Sequence, residues 1–131
     1  MEKTIILIKP DGIEKRVIGD VLSRFEKAGF RIGALKMVSL SDEIINKWYA
    51  HHLDKPFFPE LKAFMQRTPV VAAVIEGENV VARVREICGP TDSTKAPKGT
   101  IRGDLGTSIQ ENIIHASDSV ERAQEEKNLL F

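Results

Sequence analysis

Apolar positions recur along this chain with two rhythms, period two and period 3.6, and the switches between them predict its elements. Thr4 to Lys9 (Thr-Ile-Ile-Leu-Ile-Lys) is apolar on both faces, which predicts a central strand stopped by Pro10-Asp11-Gly12. Between Val17 and Ala28, residues Ile18, Val21, Leu22, Phe25 and Ala28 fall at helical spacing, and Gly29 follows as a C-terminal cap. Phe30 to Leu40 predicts a second strand. Ser41, followed by Asp42 and Glu43, predicts a capped helix start, because its hydroxyl can accept from free amides and acids suit the first turn. That helix runs to about His51, and a break at Lys55-Pro56 precedes a short helix over Pro59 to Gln66. Val70 to Ile75 predicts a third strand. Asn79 to Cys88 predicts a helix with Val80, Val81, Val84, Ile87 and Cys88 on one stripe, closed by Gly89-Pro90.

Residues 89–110 show no sustained period, and so long an irregular segment is usually functional or binds a partner. Ile113 to Ser117 predicts a short fourth strand. Asp118 with Glu121 resembles a capping box for a last helix reaching Leu130, with Val120, Ala123, Lys127, Leu130 and Phe131 as its inner stripe. Setting aside the helix pair and the last helix leaves β-α-β-β-α-β. This predicts a ferredoxin-like α+β fold: four mainly antiparallel strands, an inserted helix pair and a C-terminal helix. A doubly wound parallel sheet is the lesser alternative. At 131 residues a single domain, residues 1–131, can bury its own core.

Composition narrows the function classes. Nineteen basic residues balance nineteen acidic ones, so no overall field gathers a nucleic acid or a membrane, and neither is expected as a partner. The longest apolar runs, such as Val70 to Ile75, are too short to cross a bilayer. Cys88 is the single cysteine, which excludes an internal disulfide and suits a reducing, cytoplasmic compartment. A small polyanion could still be held by a few placed cations.

No Walker-type loop and no dinucleotide-binding glycine motif is present, so phosphate handling needs another device. Two segments stand out: Ile8-Lys9-Pro10-Asp11-Gly12 and Asn112-Ile113-Ile114-His115-Ala116-Ser117-Asp118-Ser119. On a strand, His115, Ser117 and Ile113 share one face while Ile114 and Ala116 share the other. A neutral imidazole is a competent nucleophile toward phosphorus when its other nitrogen is held by an acceptor. Among the acids of the last helix, Glu126 lies roughly 75° from the stripe centre, whereas Glu121 and Glu125 point well away, so Glu126 is the natural orienting group. By position alone, the plainer reading of His115 is an edge histidine satisfied by hydrogen bonds. Lys9 could equally be a side chain reaching water, and Arg85 a solvated arginine. Arg102, between Gly99 and Gly103, is more suggestive, because glycine lets backbone approach a ligand closely. His51 and His52 are adjacent and point ~100° apart on a helix, a poor arrangement for one metal.

Together with Arg24-Phe25-Glu26, Pro56-Phe57-Phe58 and Gly99-Thr100-Ile101-Arg102-Gly103-Asp104, these segments resemble nucleoside diphosphate kinases from about Thr4 to Phe131. The resemblance implies an enzyme that moves a γ-phosphoryl group between nucleotides by a ping-pong cycle, through a phosphate carried on His115. It implies that Glu126 and Ser117 support the imidazole, and that Lys9 and Asn112 reach the sugar hydroxyls, Lys9 also nearing the transferred phosphate. It implies a phenol from Tyr49 near the transferred phosphate. Arg85, Thr91 and Arg102 then hold the phosphate chain, and Phe57 stacks on the base with Ile109 as a second wall. Mg²⁺ is implied through the nucleotide phosphates, with no protein metal ligands, as are broad base tolerance and a homo-oligomer, hexamer favoured over tetramer. Ser93 stands where the family often has proline, Lys55 where many members have arginine, and Ala116 where glycine is common. The rival is a non-catalytic ferredoxin-like nucleotide-binding or regulatory module. A single-strand RNA-binding domain would need aromatics on its sheet, which the strands at 4–9 and 70–75 lack.

Overall fold

In the computed structural model, which describes residues 1–131, the doubly apolar strand β1 (Glu2–Ile8) lies inside the sheet, as its pattern demands. Next come α1 (Pro10–Glu14), α2 (Ile18–Lys27), β2 (Arg31–Val38), α3 (Asp42–Trp48), α4 (Phe58–Met65) and β3 (Val70–Gly77). The chain closes with α5 (Val80–Cys88), α6 (Ile101–Leu105), β4 (Ile114–Ala116) and α7 (Val120–Leu130). Short 3₁₀ turns occupy Ala50–His52 and Ser93–Lys95. The sheet order is β2-β3-β1-β4 with every neighbour antiparallel, a ferredoxin-like α+β fold. Leu7 faces His115 in the β1–β4 register, which places the short fourth strand on the sheet's outer edge.

Period-two alternation divides the core between the two faces. Ile6 and Ile8 turn toward Val21 and Phe25 of α2 and Val84 of α5. Ile5 and Leu7 turn toward Trp48, Met65, Ala123 and Leu130 from α3, α4 and α7. Because Thr4 to Ile8 of β1 are buried on both faces, none of these positions tolerates a charge.

Several local expectations shift. Pro10 opens α1 rather than stopping the chain, since its fixed φ suits a first helical position and the missing N–H costs nothing there. A Cβ at Gly12 would meet Ile8 Cγ2 at 2.8 Å, so α1 lies hard against the end of β1. The helix predicted to reach His51 ends at Trp48 and passes into a 3₁₀ turn. Ser41 caps it as expected, accepting from the Ile44 amide at 3.2 Å. Within the segment read as irregular, α6 forms because Thr100 Oγ1 accepts from the Gly103 amide at 3.0 Å, a cap obscured in the sequence by the flanking glycines. The cap of α7 is Ser119, whose hydroxyl accepts from Arg122, not Asp118. Val120 (50% exposed) and Phe131 (44%) leave the inner stripe of α7, while Glu126 is fully buried with Ala123 and Leu130. Hydrogen bonds to the carboxylate, invisible to an apolar pattern, rotate that helix. Ile113 also departs: its φ of 74° breaks the alternation and turns its side chain into the Ile6–Ile8 cluster, away from His115.

Candidate active site

β4 carries His115 on a rigid edge beside α7, and the two elements meet at one carboxylate. Glu126 Oε2 lies 3.0 Å from His115 Nε2, and Glu126 Oε1 accepts from Ser117 Oγ at 2.5 Å. Ser117 is itself fixed, its Oγ accepting from the Ile5 amide of β1 at 3.2 Å. A carboxylate can only accept, so the ionised Glu126 assigns the ring proton to Nε2 and leaves Nδ1 with a free lone pair. Glu126 is wholly buried and His115 a quarter exposed, so the free nitrogen is the part of the pair that a solute can reach.

That nitrogen belongs to an open cleft of about 1440 Å³, also lined by Lys9, Tyr49, Arg85, Thr91, Arg102 and Asn112. Lys9, just past β1, donates from Nζ to Asn112 Oδ1 at 2.8 Å, and Asn112 Nδ2 donates to the Thr91 carbonyl at 2.9 Å. Burial, helped by the Arg102 charge and opposed by Asp11, lowers Lys9 to about 8. Arg102 on α6 spans the cleft floor, with Nη1 to the Gly89 carbonyl (2.7 Å) and Nη2 to the Ile114 carbonyl (2.6 Å). Its Nε is buried without a partner. Arg85 reaches the cleft from the exposed side of α5. Tyr49 lies where burial first, and the Glu126 charge second, push its phenol up to about 12, so it stays a donor. Such a set of cations and hydroxyls suits a polyanion such as a phosphate chain.

Phe57 and Ile109 do not line this cleft; both are large exposed apolar side chains, 48% and 63% exposed. Phe57 touches the cleft indirectly, through its edge contact with His52 (ring centroids 5.3 Å apart), which does line it. His51 and His52 pack ring on ring at 3.9 Å, and no cluster of three or more His, Cys, Asp or Glu side chains suited to a metal occurs in the chain.

Three further residues escaped the sequence reading. Asp11 is buried and its Oδ2 accepts from the Ile113 amide at 3.0 Å, pinning the left-handed turn that enters β4. Trp48 packs edge-on against the His115 ring at 5.1 Å. Arg122 forms an ion pair with Glu126, Nε to Oε2, at 3.0 Å. The i,i+4 spacing of Arg122 and Glu126 was the one legible signal among these.

Comparison with known proteins agrees on a single family. The nucleoside diphosphate kinase family model matches residues 2–131. A nucleoside diphosphate kinase of Thermus thermophilus is 50% identical over 131 residues, spanning 100% of this chain and 96% of that protein. One of Saccharolobus islandicus is also 50% identical, spanning 100% and 95%. Among solved structures, the Aquifex aeolicus nucleoside diphosphate kinase superposes with a TM-score of 0.94 at 49% identity, over 99% of this chain and 94% of that one. The Halobacterium salinarum nucleoside diphosphate kinase, solved in complex with CDP, gives 0.95 at 39% identity, over 99% and 87%.

Proposed function

The chain belongs to the nucleoside diphosphate kinase family, enzymes that transfer a phosphoryl group from a nucleoside triphosphate to a nucleoside diphosphate, and from that premise we propose that His115 carries the phosphate between the two half-reactions. In the first half, the Nδ1 lone pair forms a bond to the γ-phosphorus as the β–γ bridging P–O bond breaks, and the diphosphate leaves with that oxygen. In the second, an acceptor diphosphate attacks the phosphohistidine and the N–P bond breaks. The observation that carries this reading is the His115–Glu126 contact at 3.0 Å, made from a strand edge into a cleft lined by Lys9, Arg85 and Arg102. Phosphoryl transfer asks mainly for alignment and charge neutralisation, which a pinned imidazole and three cations supply.

In this reading Glu126 and Ser117 hold the ring, and Tyr49 donates toward the transferred phosphate. Arg85, Arg102 and Thr91 hold the phosphate chain, and Lys9 with Asn112 reach the sugar hydroxyls. Phe57 and Ile109, exposed beyond the cleft, are free to stack on a base. Stacking with few polar contacts to base edges tolerates every base. Mg²⁺ would be carried on the nucleotide phosphates, because the cations lining the cleft, Lys9, Arg85 and Arg102, have no lone pair to offer a metal. When bound with the nucleotide, it would neutralise part of the phosphate charge.

Self-association is supported by edge strand β2, which exposes Leu35 (52%) and Met37 (56%), and of the two family forms a hexamer is favoured over a tetramer. No helix is long and apolar enough to cross a membrane, and a cytoplasmic location fits the single buried thiol of Cys88.

Incubation with γ-labelled ATP tests the catalytic reading. The expected label is acid-labile, base-stable and absent in His115→Ala, with ADP-to-GTP exchange lost in parallel. An unlabelled wild-type protein that still binds nucleotide would favour a regulatory module instead.

A further inference from the structure

The Glu126 carboxylate has two oxygens and three donors. Ser117 holds Oε1, whereas Oε2 serves both His115 Nε2 and Arg122 Nε, each at 3.0 Å. Arg122 is anchored in turn. Its Nη2 donates to the Trp48 carbonyl at 2.6 Å, one of the carbonyls that α3 leaves without an intrahelical partner. The guanidinium carbon lies 5.5 Å from the centre of the Trp48 ring, the same ring whose edge meets His115. Its remaining pair, with Glu125, is largely solvent-exposed and holds it weakly. One side chain therefore ties the acceptor of the reactive histidine and the wall behind that histidine into one unit.

We propose that Arg122 is a positioning residue that fixes the tautomer of His115 by holding Glu126 Oε2 in place as its acceptor, a deepening that rests on the phosphohistidine reading above. Glu126 is fully buried, and a carboxylate removed from water needs a cation or donors to hold it in one place. Ser117 and a neutral imidazole contribute only one neutral donor each, and Arg122 is the cation paired with it. Were Oε2 to swing away, the His115 Nε2–H would lose the acceptor that holds its proton there. The ring proton would then move to Nδ1, the nitrogen that must attack phosphorus, and the nucleophile would be blocked. The Arg122 guanidinium is occupied by Glu126, Glu125 and the Trp48 carbonyl, so its effect falls on the chemical step and not on nucleotide affinity.

The test pairs Arg122→Met, which removes the charge, with Arg122→Gln, which also removes it but keeps a donor for the Trp48 carbonyl should the first variant fold poorly. Single-turnover phosphorylation by saturating ATP is expected to fall at least tenfold in both, with the dissociation constant for ADP within twofold of wild type. In ¹⁵N-histidine-labelled protein, whose three histidines are told apart by the signal missing in His115→Ala, the His115 ring is expected to change from Nε2–H to a population carrying Nδ1–H. An unchanged tautomer, or a rate loss matched by equal loss of ADP affinity, overturns the proposal. If the wild type itself takes no label, the phosphohistidine reading fails, while the ring signals still report on Arg122 by themselves.

Discussion

Raising the pH from 7 to 9 should weaken nucleotide binding about tenfold through a single group, the Lys9 ammonium. Burial lowers Lys9 from 10.5 to about 8, and the nearby Arg102 charge acts in the same direction. In the free protein, about nine molecules in ten carry the charge at pH 7 and about one in ten at pH 9. A bound phosphate chain restores attraction for the proton, so affinity tracks the protonated fraction over this window. Burial pushes the Tyr49 phenol to about 12 and the Cys88 thiol to about 11, both outside this window. Calorimetric titration with ADP is the assay, since buffers of different ionisation enthalpy also report proton uptake, expected at about half a proton per site near pH 8. Lys9→Met should bind weakly with no such dependence. The reasoning is refuted if wild-type affinity changes less than twofold between pH 7 and 9, or if Lys9→Met retains the wild-type slope. The folded-state value lies below the unfolded one, so the charged lysine costs stability below pH 8, a cost relieved as pH rises toward 10.5. Lys9→Met should accordingly raise the melting temperature at pH 7, by the equivalent of on the order of 1–2 kcal/mol after the Asn112 hydrogen bond is given up.

Arg102→Ala removes two charged hydrogen bonds to the carbonyls of Gly89 and Ile114, so it should cost stability of about 2–4 kcal/mol as well as slowing phosphorylation of His115 on the order of a hundredfold. A rate loss no larger than the unfolded fraction measured by urea titration would remove its phosphate role. Asp11→Ala leaves the buried Ile113 amide without an acceptor and should destabilise the fold by about 1–3 kcal/mol while slowing phosphorylation, whereas Asp11→Asn retains the acceptor and should stay close to wild type. Equal melting temperatures for the two variants would contradict this. Ser93→Pro replaces an unpartnered buried hydroxyl at the first position of a 3₁₀ turn and loses only a long 3.4 Å amide bond. It should raise the urea midpoint, and with it resistance to dissociation of the proposed homo-oligomer, by the equivalent of about 0.5–1 kcal/mol; an unchanged or lower midpoint speaks against it.

Much of the architecture was legible because period and burial are linked. The doubly apolar run at Thr4–Ile8 had to be central, and the stripe through Val80, Val84 and Cys88 had to face it. Where the reading slipped, a polar interaction had overridden the apolar pattern. The stripe of α7 centres on Glu126 because Ser117, His115 and Arg122 supply it with donors, and no hydrophobicity count registers a satisfied carboxylate. α6 was hidden because its cap at Thr100 is followed by Gly103, a residue that weakens a helical pattern. Ile113 adopts φ 74° only because Asp11, 102 positions earlier, accepts from its amide.

Residue types alone determined the four strands and most of the longer helices, and singled out His115 as the imidazole to examine. They also determined the family, through segments whose chemistry survives being read as a string. Tertiary structure decided which groups share an atom: that Oε2 of Glu126 serves both His115 and Arg122, that Lys9 is dry enough to sit near 8, and that Arg102 braces two carbonyls. The reason is range. Periodicity acts between neighbours in the chain, whereas proton affinities and shared hydrogen bonds depend on distances of a few ångströms between residues far apart in sequence, and only folding sets those.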